Sequence, residues 1–419
     1  MRLHLRYGRE TLPLWLQDTC HVDIFEPNTT TALDDPIYAI KAALDAPLGC
    51  QAFNHQKTPR SVAIAVPDKT RPFPLKLLLP PFLDRLFATW PSLEGKDVCI
   101  VVGGGLHPPA DAEQLNQILP ENLYGCRVVS HDAVHSPVLR VGVTSRGNPV
   151  EINADYIQAD MKIVLGMVDA HQFVGFTGGA KGAIIGCGSA AAIAANHRLL
   201  RESASVIGNI ENNPARLDIN EAGDLAGINF AVNVVLDKAK QPVAIFAGLP
   251  SLVMSEASRV TAKVYGMSFG DPYDIVVASC GGSPKDICLY QAQKGLATAA
   301  QCAAAGAKIL LVAKCEEGVG DERYYEYVRR FSDAQALMSD FKTKPFVVGP
   351  HKAFLFARAL AKFTVVVQSE IPAATLADCL LTYGRLQETV DKWLAEKPNA
   401  RVAVITNANS TFFGETPPL

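Results

Sequence analysis

Short apolar runs alternating with helical stretches leave few folds open to this chain. SVAIAV (61–66), DVCIVVGG (97–104) and MKIVLGMV (161–168) are near-continuous β-type runs. Helical spacing follows in PLKLLLPPFLDRLFATW, with prolines placed near the helix start, and in DAEQLNQILP. A strand that is apolar on every residue needs cover on both faces. Such strands alternating with helices imply mostly parallel sheets flanked by helices. Two stretches break the pattern and read as antiparallel pairs. One is VLRVGVTSRGNPVEIN, turning at Arg146-Gly147-Asn148; the other is NFAVNVVLD with QPVAIFAGL.

A long helix over about 251–266 ends at FGDPYD (269–274), a cluster of breakers. Beyond it the alternation restarts with YDIVVASC, AKILLVAK, FTVVVQ and RVAVITN as strands. A chain of 419 residues exceeds one ordinary core. The expected fold is therefore α/β in two domains, each a mostly parallel sheet flanked by helices, with an active site in the interdomain cleft. The boundary reads as 1–270 for an N-terminal domain and 271–404 for a C-terminal one, with 405–419 as a candidate completion of the first.

Composition removes some partners. A net charge of -3 gives no reason to expect nucleic acid or an anionic membrane. No run reaches the roughly 18 apolar residues that span a bilayer. The start, MRLHLRYGRETLPLWL, is broken by charges and lacks a continuous apolar signal. The expected compartment is the cytoplasm. The ten cysteines, Cys20 among them, include no CxxC pair and read as small buried hydrophobes. Cys187 is the one placed beside a glycine loop.

In open α/β sheets ligands bind beyond the carboxyl ends of the strands. PDKTRP follows the first strand and supplies Asp68 and Arg71; GLHPP follows the second and supplies His107. DAHQFVGFTGGAKGAIIGC follows MKIVLGMV and supplies His171 and Lys181, and His197 comes in the helix after it. In the second half, GGSPKD and the next helix supply Gln291 and Lys294. Glycines ahead of a helix let backbone N–H groups approach an anion, so this loop suits a phosphate. It fits neither GxxxxGK[ST] nor GxGxxG.

Each piece has a bland reading. Asp68 and Arg71 suit a local loop ion pair, His107 a carbonyl partner and His197 a place in a packed core. Gln291 and Lys294 suit a solvated helix face, and Gly178-Gly179 a tight turn. His4, His21, His55, His131, His135 and His351 are read as structural. On residues alone, Lys181 stays open between a surface lysine, a Schiff-base nucleophile, a phosphate ligand and a cofactor tether.

Taken together, DKTRP, GGGLHP, DAHQFVGFTGGAKG, NHRL and LYQAQKG resemble the nickel-dependent lactate racemase family, over most of the chain. The resemblance implies a nickel-pincer nucleotide: a pyridinium mononucleotide with two sulfur-bearing arms, tethered to Lys181 as a thioamide. It implies Asp68, Thr177, Gly178 and Gly179 around that cofactor and His197 as the nickel ligand. His107 and His171 would be the two general bases, one for each enantiomer. Arg71, Gln291 and Lys294 would bind the substrate. The implied reaction is racemisation or epimerisation of a 2-hydroxy acid, lactate or a related one, by hydride transfer through a 2-keto acid. Accessory enzymes that build the cofactor are implied partners, with no nucleic acid and no membrane. Two other readings remain at this point: a lyase using Lys181 as a Schiff base, and a two-domain small-anion binding protein.

The chemistry suits these residue types independently. Removing the Cα proton beside a carboxylate stacks negative charge on negative charge, whereas removing a hydride gives a planar keto acid open to return on either face. Imidazole titrates near neutral pH and can take and return the hydroxyl proton. Arginine by its fork, and lysine as a point charge, suit a carboxylate.

Overall fold

The computed structural model describes residues 1–17, 21–344 and 346–414. Cys20 lies outside them. Chain contacts divide the protein into two units, residues 29–264 and residues 1–28 with 265–419.

The 29–264 unit is built on a six-stranded sheet. Its order is Pro242–Gly248, Phe230–Leu236, Met161–Met167, Val62–Pro67, Val98–Gly103, Arg127–Ser130. All neighbours are parallel except Pro242–Gly248, which pairs antiparallel at one edge. The strands are apolar on both faces, as a covered parallel sheet requires. Ile64, Ile100, Ile163 and Val232 share one core with Phe53, Phe82 and Trp90. The expected hairpin forms from Val138–Val143 and Pro149–Asn153, with Gly147 at φ 78° in its turn. The helix after the first strand, Leu75–Thr89, departs from expectation: Pro80 and Pro81 lie inside it rather than at its start. Burial of Leu78, Leu79, Phe82, Leu83 and Leu86 outweighs the missing N–H donors.

The strand order places the site. Val62–Pro67 comes first and lies centrally; the next two strands add on one side, and Met161–Met167 and Phe230–Leu236 on the other. The connections leaving Val62–Pro67 and Met161–Met167 diverge, which opens a crevice at their carboxyl ends.

The other unit has a six-stranded parallel sheet. Its order is Thr382–Tyr383, Thr364–Gln368, Ala303–Val312, Tyr273–Ser279, Arg401–Ile405, His21–Phe25. This corrects the expected boundary. His21–Phe25 pairs with Arg401–Ile405, so residues 1–28 complete the second sheet rather than the first. The amino-terminal hairpin, Arg2–Tyr7 with Glu10–Trp15, buries Leu5, Tyr7 and Leu14 in a core with Val277, Val312 and Trp393. The carboxyl-terminal stretch also stays with this unit, since Phe412–Phe413 pairs with Gly266–Met267. No described helix is long and apolar enough to cross a membrane.

Candidate functional site

At the crevice of the 29–264 unit lies a cavity. It is lined by Asp68, Arg71, His107, Thr177, Gly178, Gly179 and Lys181, with Gly103 to Gly105, Gly182, Gly186 and Asn233. Seven of the residues singled out in the sequence thus meet in one cavity.

Two of them are directly joined. His107 Nδ1 lies 2.9 Å from Asp68 Oδ2. Asp68 Oδ1 accepts from Thr70 N and from Thr70 Oγ1, at 3.2 and 2.6 Å. The bland expectation of an Asp68–Arg71 pair is therefore replaced: the carboxylate turns to the imidazole, and Arg71 lies exposed on the cavity wall. Burial raises the Asp68 carboxyl, but the His107 and Thr70 hydrogen bonds and the His107 and Arg71 charges outweigh it. They hold the group below the usual carboxylate range. With Nδ1 held by the carboxylate, Nε2 of His107 is left to exchange a proton.

The loop carrying Lys181 is pinned from several sides. Thr177 Oγ1 donates to Met167 O at 2.9 Å and accepts from Asp169 N at 2.8 Å, tying the loop to the preceding strand. Gly179 N donates to Asn233 Oδ1 at 2.8 Å. Gly178 and Gly179 have φ +88° and +58°. A Cβ on Gly178 would sit 2.4 Å from Val168 Cγ2. The expected anion site at a helix start needs correction: the helix after the glycines, Lys181–Ile184, is a single turn. Its dipole is correspondingly small. The glycines instead let the chain pass close to Val168 and Met254 while keeping the cavity wall bare.

Arg216, Asn213 and Asn233 were not found from sequence. Asn213 caps the Pro214–Leu225 helix and donates to Phe173 O at 2.9 Å. Arg216, fully buried, donates to the carbonyl oxygens of Val174, Phe176 and Gly178. Burial alone pushes its guanidinium down to about 9. One guanidinium thus ties together three carbonyls of the turn. Asn233 carried a signal, being the one polar residue in FAVNVVL; Arg216 on an amphipathic helix carried none.

His171 and His197 are half-buried and lie off the cavity wall. Val174 N donates to His171 Nδ1 at 3.4 Å. The Phe173 ring meets both imidazoles edge-on, at 4.8 Å from His171 and 5.0 Å from His197. Burial, then the Lys181 charge, push the His197 imidazole down to about 3. That keeps His197 neutral, the state in which imidazole binds a metal. Among the described residues no three His, Cys, Asp or Glu side chains gather as a metal cage. A metal beside His197 would need donors supplied by a bound organic group. A bare glycine-walled cavity, an amine opening into it and one neutral imidazole near that amine fit such a group. Cys187 is buried and its thiol is pushed up to about 12, so it fills space. Cys50 and Cys126 are half-buried and the other described cysteines are buried, all as free thiols. His131 is structural, its ring nitrogens meeting Gly188 O and Asn153 Nδ2.

In the other unit, Gln291 and Lys294 are half-buried on the Leu289–Cys302 helix, which follows the Tyr273–Ser279 strand. Asn409 Nδ2 donates to Gln291 O at 3.3 Å and to Lys285 O at 2.8 Å, tying this helix start to the loop after Arg401–Ile405.

Fold and site together define an α/β protein with a lysine-bearing glycine loop and a carboxylate-held histidine at a strand-order reversal. Residues 7–208 match the lactate racemase N-terminal domain, and residues 270–412 match the lactate racemase C-terminal domain. The chain belongs to the lactate racemase family. It is 30% identical over 312 residues to a lactate racemase of Thermoanaerobacterium thermosaccharolyticum, covering 72% of this chain and 71% of that one. It is 28% identical over 378 residues to a lactate racemase of Lactiplantibacillus plantarum, covering 86% of each. The solved apoprotein of the Thermoanaerobacterium enzyme superposes with a TM-score of 0.91 at 25% identity, over 99% of this chain and 100% of that one. A Thermotoga maritima crystal structure shares the fold, with a TM-score of 0.66 at 16% identity, over 90% and 98% of the two chains.

Proposed function

We propose that this protein racemises or epimerises a 2-hydroxy acid through its 2-keto acid, using a nickel-pincer nucleotide tethered to Lys181. The observation that carries the reading is the single cavity shared by Lys181 and the Asp68–His107 pair. When bound, the nucleotide would supply a hydride acceptor that can return the hydride to either face of the keto acid. Lys181 would hold it covalently, His197 would ligate its nickel, and Asp68, Thr177, Gly178 and Gly179 would line its seat.

His107 Nε2 takes the substrate hydroxyl proton while Asp68 stabilises the imidazolium that forms. His171 serves the opposite enantiomer. Arg71, Gln291 and Lys294 hold the substrate carboxylate and hydroxyl. The cofactor-building enzymes are the expected partners, and the cytoplasm is the expected place of loading.

The test uses cofactor-loaded protein and enantiopure 2-hydroxy acids deuterated at Cα, read by chiral chromatography with mass detection. The expected result is inversion with the deuterium retained. Inversion with washout into solvent would point to proton abstraction and overturn the hydride route. An imine trapped by borohydride on Lys181, with no inversion, would favour the lyase reading.

A further inference from the structure

Three residues at the start of the Pro214–Leu225 helix reach different parts of the site. Asn213, at its cap, donates to Phe173 O, and Arg216 donates to carbonyls of the loop ahead of Lys181. Asp218, which is buried, turns instead to the helix that carries His197. Its Oδ2 accepts from Asn196 Nδ2 at 2.8 Å, and its Oδ1 accepts from Thr144 Oγ1 at 2.6 Å. Asn196 Nδ2 also donates to Ala215 O at 3.0 Å. Both N–H groups of that amide are thus spent on the Pro214–Leu225 helix.

Asn196 directly precedes His197 at the end of the Ala190–His197 helix. Successive residues of an α-helix point about 100° apart. Holding Asn196 toward Asp218 therefore sets the direction of His197, whose ring meets Phe173 edge-on at 5.0 Å. The other end of this short helix has its own support. Ser189 Oγ caps it, accepting from Ala192 N at 3.0 Å, and donates to Glu151 Oε2 at 2.7 Å. A buried carboxylate set against two neutral donors costs desolvation that an apolar pair would not. Its gain is direction, since hydrogen bonds to an ionised acceptor are the shorter and stronger ones. Where local rules are broken without an evident structural gain, function is the usual reason.

We propose that Asp218 is a positioning residue for the nickel centre: through Asn196 it holds the His197 imidazole in the orientation that ligates nickel. It rests on the reading of His197 as nickel ligand given above. Arg216, two residues earlier on the same helix, holds the loop of the Lys181 tether, so one helix sets the place of both groups. The two functions separate by residue: losing Asp218 weakens the hold on the metal and leaves the tether in place.

The test uses protein made together with the cofactor-building enzymes. Intact mass reads the Lys181 adduct, and a chelating dye reads the rate of nickel release. Asp218→Leu is expected to keep the adduct and to release nickel at least about tenfold faster than wild type, the scale for losing a partner behind a metal ligand. Asp218→Asn should stay within about threefold of wild type. Its amide oxygen can accept from Asn196 while its N–H donates to the Thr144 hydroxyl, which serves as donor or acceptor. Should Asp218→Leu fail to fold, Thr144→Val carries the comparison, removing one of the two anchors of the carboxylate; its expected acceleration is at least about threefold. A folded Asp218→Leu with the wild-type release rate would overturn the proposal, as would adduct and nickel lost together. Equal losses in the Leu and Asn variants would assign the effect to charge and also overturn it. A wild type without adduct or nickel would remove the cofactor reading itself, whereas a nickel-bearing wild type matched by Asp218→Leu would remove the role of Asp218 alone.

Discussion

A carboxylate 39 residues away in sequence decides what His107 can do. Asp68 holds Nδ1 and leaves Nε2 for substrate, and an amide there would favour the opposite tautomer. Asp68→Asn is therefore expected to lower kcat about 10²-fold while leaving the fold intact, measured by steady-state kinetics and circular dichroism. The same pairing links stability to pH. The Asp68 carboxyl lies below its ordinary range when folded, so at acid pH the unfolded chain binds more protons. Its stabilisation is present above the unfolded carboxylate pKa and is lost as pH falls through the folded value. The gap in melting temperature between wild type and Asp68→Asn should narrow from neutral pH to about pH 3. A gap that widens on acidification would contradict the pairing. At His197 the expectation is different: His197→Ala should keep the covalent adduct and lose nickel. Nickel retained at full stoichiometry, by elemental mass spectrometry, would exclude His197 as its ligand.

The loop from Val174 to Lys181 shows what could be read in sequence and what could not. Its glycines, its lysine and the strand ahead of it are legible, because periodicity and breaker residues act locally. Its supports are not legible. Arg216 and Asn233 reach it from elements 38 and 54 residues away; nothing around Arg216 marks that contact, and the lone polar Asn233 in FAVNVVL marks a polar role without naming its partner. For the same reason the Asp68–His107 pair was legible as two loop residues but not as a pair. Replacing Arg216 by Met removes its buried hydrogen bonds to the carbonyls of Val174, Phe176 and Gly178. The expected loss is about 2–5 kcal/mol, read by denaturant melts. Gly178→Ala meets both a positive φ and a clash with Val168, and should cost at least about 1–3 kcal/mol. A wild-type melt for either variant would contradict the described loop.

At the scale of the whole molecule, the parallel strands and most helices follow from apolar runs of the right length. The unit boundary near residue 264 also lies close to the breakers at FGDPYD. The place of the first 28 residues does not follow, because strand partners are chosen by a sheet edge hundreds of residues away. Leu5 and Leu14 bury completely in the second unit's core, and His21–Phe25 forms its edge strand. A fragment of residues 29–264 is therefore expected to melt cooperatively by itself, whereas 265–419 without 1–28 should lack a cooperative melt. A fully folded 265–419 fragment would contradict this assignment. The central claim, that Lys181 seats a nucleotide cofactor in the glycine-walled cavity, is tested most directly by intact mass. Protein made together with the cofactor-building enzymes should carry a nucleotide-sized adduct that peptide mapping places on Lys181 and that Lys181→Ala lacks. A wild type with no added mass, or an adduct that survives in Lys181→Ala, would contradict the account.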